Sequence, residues 1–62
     1  MKIDEILDVI AGLAKSQGFY GRLLESLLGI RDNSPDDWEN VVADLENLNF
    51  KEPLDVVLYF EQ

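Results

Sequence analysis

The chain has no cysteine and no histidine. Without cysteine no disulfide framework and no thiolate chemistry is available. Without histidine the commonest general base and the commonest transition-metal ligand are both missing. Basic residues are scarce as well: five Lys and Arg stand against thirteen Asp and Glu, for a net charge of −8. Proline occurs only twice, as Pro35 and Pro53. No apolar run approaches the roughly 20 residues of a membrane span. Met1-Lys2-Ile3-Asp4-Glu5 turns acidic at once and lacks the apolar core of a signal peptide. A cytoplasmic protein with no membrane contact is therefore expected.

What remains is a short, apolar-rich chain. Its 62 residues suffice for a single domain, 47% hydrophobic. A chain this short buries only about 60% of its extended surface, so its stability is marginal by size alone. With disulfides excluded, helix packing and self-association are the available supports.

The charge is unevenly placed. Residues 1–31 hold Asp4, Glu5, Asp8 and Glu25 against Lys2, Lys15, Arg22 and Arg31, and cancel. Residues 32–62 hold Asp32, Asp36, Asp37, Glu39, Asp44, Glu46, Glu52, Asp55 and Glu61 against Lys51 alone. The whole net charge thus belongs to the second half. Such asymmetry favours basic partners and opposes direct binding to nucleic acid.

The best-specified helix lies there. Ser34 suits an N-cap, Pro35 the first helical position, and Asp36 and Asp37 the positive end of the helix dipole. Trp38, Val41, Val42, Leu45 and Leu48 follow at helical spacing as one apolar stripe. Asn47 or Asn49 is expected to stop it. Asp36, Asn40, Asp44 and Asn47 project from the other side, with Asp37 beside them.

Helix one is expected over residues 2–15. Ile3, Ile6, Leu7, Ile10, Leu13 and Ala14 gather within about 120° of a helical wheel. Gly12 falls on its polar side, at a cost of roughly 1 kcal/mol relative to Ala. Gly18 is read as a left-handed C-terminal cap. Helix two is expected over 19–28, from Phe19, Tyr20, Leu23, Leu24, Leu27 and Leu28. Arg22 and Glu25 are placed to pair on its polar face. Gly29 is read as its end and 30–33 as a loop.

Residues 54–60 admit two readings. As a strand, Leu54, Val56, Leu58 and Phe60 share a face. As a helix, Pro53 starts the first turn, and Leu54, Val57 and Leu58 face inward. No other segment offers a pairing strand, and a lone strand would need another chain. The helix is preferred. Val56, Tyr59 and Phe60 then exceed the needs of a small core. The fold class is all-α, a small bundle of four short helices spanning 1–62. Trp38 and Phe19 are expected in the core, and Tyr59 and Phe60 are candidates for an interface.

Two stretches resemble a known group. Ser16-Gln17-Gly18-Phe19-Tyr20-Gly21-Arg22-Leu23-Leu24 and Asn49-Phe50-Lys51-Glu52-Pro53-Leu54-Asp55-Val56-Val57-Leu58 are similar to segments of small acidic proteins encoded by phages and prophages of Gram-positive bacteria. They cover about a third of the chain. The resemblance implies a small helical fold and an origin on a mobile element, hence a bacterial cytoplasm. It transfers no catalytic residue, because that group has no settled activity. By analogy, phages encode small acidic proteins that block host enzymes, anti-CRISPR and anti-restriction proteins among them.

The chemistry-bearing candidates are few. Asp36-Asp37 is a carboxylate pair, but a helix start accounts for it. There is no Ser/His or Cys/His arrangement, no phosphate-cradling glycine loop and no zinc spacing. Residues 32–37 are rich in oxygen ligands. Counted from Asp32 as a calcium loop, however, position six is Asp37 and position twelve is Ala43, where Gly and Glu are required. Neither catalytic residues nor a cofactor or metal is expected, and the chain is read as a non-enzyme.

The leading function is protein binding through an acidic face, with Asp36, Asp37, Asp44, Glu46, Tyr59 and Phe60 as contact residues. The partner is expected to be basic, and a host nucleic-acid-binding or defence enzyme would fit. The alternative is a self-assembling helical protein whose apolar tail forms a homodimer. A helix-turn-helix regulator using Lys15, Arg22 and Arg31 comes third, opposed by the lack of excess positive charge.

Overall fold

The computed structural model describes all 62 residues. Four helices follow in order: α1 (Ile3–Ala14), α2 (Gly18–Asn33), α3 (Pro35–Asn47) and α4 (Pro53–Phe60). There is no strand, so residues 54–60 form a helix.

α1 is the hub. Its stripe sends Ile6 and Ile10 into the interior with no exposed surface, and Ile3, Leu7, Val9, Leu13 and Ala14 pack beside them. α1 touches α2, α3 and α4, while α2 touches α3. Tyr20 and Leu27 from α2, Leu45 from α3, Phe50 from the α3–α4 connection and Val56 from α4 complete the core. The radius of gyration, 11.1 Å, is close to the roughly 10.5 Å of a compact chain this long.

Three helix-end signals act differently from the sequence reading. α1 runs to Ala14 with Lys15 as its C-cap, and beyond it the backbone N–H groups of Ser16 and Gln17 both donate to the Leu13 carbonyl at 3.1 Å. Gly18 is not a left-handed cap, because no glycine here has positive φ. It opens α2 behind the extended Gln17. The Arg22 guanidinium lies 3.4 Å from where a Cβ on Gly18 would stand, an ordinary contact distance.

Gly29 does not end α2. The helix runs on to Asn33, with Leu28, Gly29 and Ile30 half-buried. Glycine within a helix costs about 1 kcal/mol. Continuing the helix keeps Ile30 partly out of water and lets the Ser34 N–H reach the Ile30 carbonyl at 2.8 Å. The Asn33 side chain also donates to the Gly29 carbonyl at 2.9 Å.

Ser34 is therefore a joint between two helices. Its N–H closes α2 and its carbonyl accepts the Trp38 N–H at 2.9 Å. Its hydroxyl makes no capping bond, contrary to the sequence reading. Pro35 does occupy the first turn of α3. At the far end Asn49 takes the left-handed conformation, φ 56°, which asparagine tolerates.

α4 starts at Pro53, and one Asp55 carboxylate oxygen accepts the backbone N–H groups of Lys51 (2.8 Å) and Glu52 (3.2 Å). Its inward face is largely not the one expected: of Leu54, Val57 and Leu58 only Val57 is half-buried. Val56 is fully buried and Phe60 packs on the core, whereas Leu54 and Leu58 are more than half exposed. α4 has a single helical neighbour, α1. Val56 and Phe60, one turn apart, form its seam.

Candidate functional site

The acidic face of α3 is built as its spacing demands. Asp36, Asp37, Asn40, Asp44 and Asn47 are all exposed, as is Glu39. Leu45 is buried on the opposite side, Trp38 and Val41 pack against the core, and Leu48 stays 41% exposed. None of these carboxylates has an ion-pair partner. The one ion pair of the chain joins Arg31 to its neighbour Asp32 at 3.4 Å, with both side chains exposed, where such pairs contribute little. The expected Arg22–Glu25 pair does not form.

Glu46 has other work. It is half-buried, and its carboxylate accepts the Ile3 backbone N–H at 2.9 Å. It caps α1 across 43 residues of sequence. Glu5 accepts the Lys2 N–H beside it, and the Met1 ammonium donates to the Phe50 carbonyl. The start of α1 is thus clasped to the end of α3. No local signal marks Glu46 for this role.

The tail places its candidates on different sides. Tyr59 is 44% exposed, with its ring edge-on to Phe50 at 5.7 Å and to Phe60 at 5.0 Å. Phe60 is half-buried and belongs to the α4 seam. The outward apolar surface of α4 is Leu54, Leu58 and Tyr59. The leucines stand one turn apart, a spacing equally consistent with an inward face. Phe19, expected in the core, is 45% exposed and meets Tyr20 edge-on at 5.1 Å. Tyr20 takes the interior position, because only one of two consecutive helical residues can point at α1.

Tyr20 is held above its ordinary range. It is fully buried, and its hydroxyl donates to Glu61 at 2.6 Å. Burial, then the hydrogen bond to Glu61 and its negative charge, raise the phenol from 10.0 to about 12. The folded state keeps this proton where the unfolded chain loses it. Its contribution to stability is complete below pH 10 and is lost as pH rises through about 12. Absorbance titration should show one tyrosinate forming near pH 12, with helical ellipticity falling over the same range. A Tyr20 that ionises near pH 10 with ellipticity intact would contradict this.

Nowhere do three Asp or Glu side chains converge as metal ligands. No helix is long and apolar enough to cross a membrane. Compared with family models, curated proteins and solved structures, the chain matches none of them.

Proposed function

We propose that this is a non-enzymatic accessory protein of phage or prophage type that binds another protein through the acidic face of α3. One observation carries the reading. Asp36, Asp37, Glu39 and Asp44 stand in water on one short helix, and no cation of the chain neutralises them. Like charges one turn apart destabilise a helix slightly. A basic partner would remove that repulsion and gain attraction. Surfaces that bind nucleic acid are basic, so a host nucleic-acid-binding or defence enzyme is the class of target such a face would occlude.

The test starts with recovery of a partner on immobilised protein from bacterial and phage-infected lysates. Asn40→Lys with Asp44→Lys then reverses the centre of the face without touching the Glu46 cap. The double variant should keep its helical spectrum. It should lose about tenfold in association rate at low salt, with a flatter salt dependence, because rim charges chiefly steer encounter. Unchanged binding across a salt series would remove α3 from the interface.

The exposed Leu54, Leu58 and Tyr59 favour a second reading, a homodimer through α4. Two chains of −8 repel each other, so such a dimer should strengthen with salt. Sedimentation at high salt, with Leu54→Ser/Leu58→Ser as comparison, decides it. Identical monomers in both samples would end this reading.

A further inference from the structure

A second feature lies between the beginning of α2 and the end of α4. There Gln17, Phe19, Phe60, Glu61 and Gln62 line a cleft of about 350 Å³. Two aromatic rings, two carboxamides and one carboxylate make an unusual lining for a chain with so little surface to spare. The carboxylate is held in place. The buried Tyr20 hydroxyl grips Oε2 of Glu61 at 2.6 Å, while Oε1 accepts no hydrogen bond and Glu61 forms no ion pair. Arg22, one turn along α2, reaches over Gly18 and is not part of the lining. The cleft therefore presents a fixed negative charge beside aromatic rings, and no cation of the chain answers it.

That chemistry selects its occupant. An anion is repelled by Glu61 and by the net charge of −8. An uncharged apolar group would strip water from Glu61 without compensation. A cation is attracted by the carboxylate, and gains further where it can lie over the face of a neighbouring ring. A planar guanidinium adds stacking on a ring, which a compact ammonium lacks.

We propose that this cleft receives an arginine side chain of a partner protein, with its guanidinium on the free oxygen of Glu61 and its stem between Phe19 and Phe60. The proposal rests on the basic partner inferred above and adds the side chain that anchors it. Phe19 is the more exposed of the two rings, and Phe60 is half-buried against the core. The Tyr20–Glu61 bond links the cleft to the core, so the receiving carboxylate is ordered before the guest arrives.

The experiment needs no partner. Acetyl-Gly-Arg-Gly-amide is titrated into the ¹⁵N-labelled protein, with the lysine and norleucine peptides as comparisons. The arginine peptide should shift the amides of Gln17, Phe19, Phe60, Glu61 and Gln62 in the millimolar range. Lysine should bind more weakly, and norleucine should leave those amides in place. Phe19→Ala should weaken arginine binding roughly two- to fivefold. Glu61→Gln keeps an oxygen for the Tyr20 hydroxyl and removes the charge, so it should abolish the preference for arginine over norleucine while the helical spectrum persists. Equal shifts with norleucine, shifts spread along α3, or no shifts would each overturn the arginine site. None of these results bears on the α3 face, which the Asn40→Lys/Asp44→Lys pair tests separately.

Discussion

Ile10→Ala is expected to leave much of the protein unfolded. Ile10 has no exposed surface and sits midway along the helix that touches all three others. Truncating a buried isoleucine costs about 2–5 kcal/mol, more where the neighbours cannot close the gap. A domain of this length has a total stability of roughly 3–9 kcal/mol. The two ranges overlap, so one substitution can consume most of the margin. Thermal melts followed by circular dichroism should show a fall in Tm of at least about 8 °C, taking about 4–8 °C per kcal/mol at this size. Asp8→Ala, on the exposed side of the same helix, should melt close to wild type. If Ile10→Ala melts like Asp8→Ala, α1 is not the hub that its packing describes.

Glu46→Ala should be the most costly loss of a carboxylate from α3. The other acids of α3 stand in water, but Glu46 satisfies the Ile3 N–H at the start of α1. Losing a cap costs about 0.5–2 kcal/mol, and a charged acceptor puts this one in the upper part of that range. Tm should fall by roughly 5–15 °C. Glu46→Gln retains an oxygen acceptor and should fall between the two. Glu39→Ala, nearby and fully solvated, should stay within about 0.5 kcal/mol of wild type. Equal melting of the Glu46 and Glu39 variants would show that the clasp between α1 and α3 contributes nothing. The cap also disqualifies Glu46 as a probe of partner binding, since its loss would loosen the fold and the surface together.

Periodicity made most of the fold legible. Ile6 and Ile10, Tyr20 and Leu27, and Leu45 all belong to stripes readable at 3.6 residues per turn, and all are buried. Pro35 and Pro53 marked two helix starts, because a ring without an N–H fits only the first turn. Glycine misled twice, at Gly18 and Gly29. Its freedom to take positive φ is a permission, and neither site uses it. Asn49, a weaker local signal, carries the one left-handed residue. The α4 face was misread because Leu54, Leu58, Val56 and Phe60 make two apolar ridges on one helix of eight residues. Only the helix it lies against chooses between them.

By itself, then, the sequence determined the helices, the two prolines that open them and the confinement of the negative charge to residues 32–62. Each of these depends on neighbours within a few residues, or on composition. Tertiary structure alone decided that Glu46 caps α1, that Glu61 is held by Tyr20, and that Phe19 and Phe60 line one cleft. These pairings span about forty residues, and no periodicity reaches so far. They arise only when α1 brings the other three helices around it, so a carboxylate that reads as surface charge becomes a cap in one place and a fixed acceptor in another.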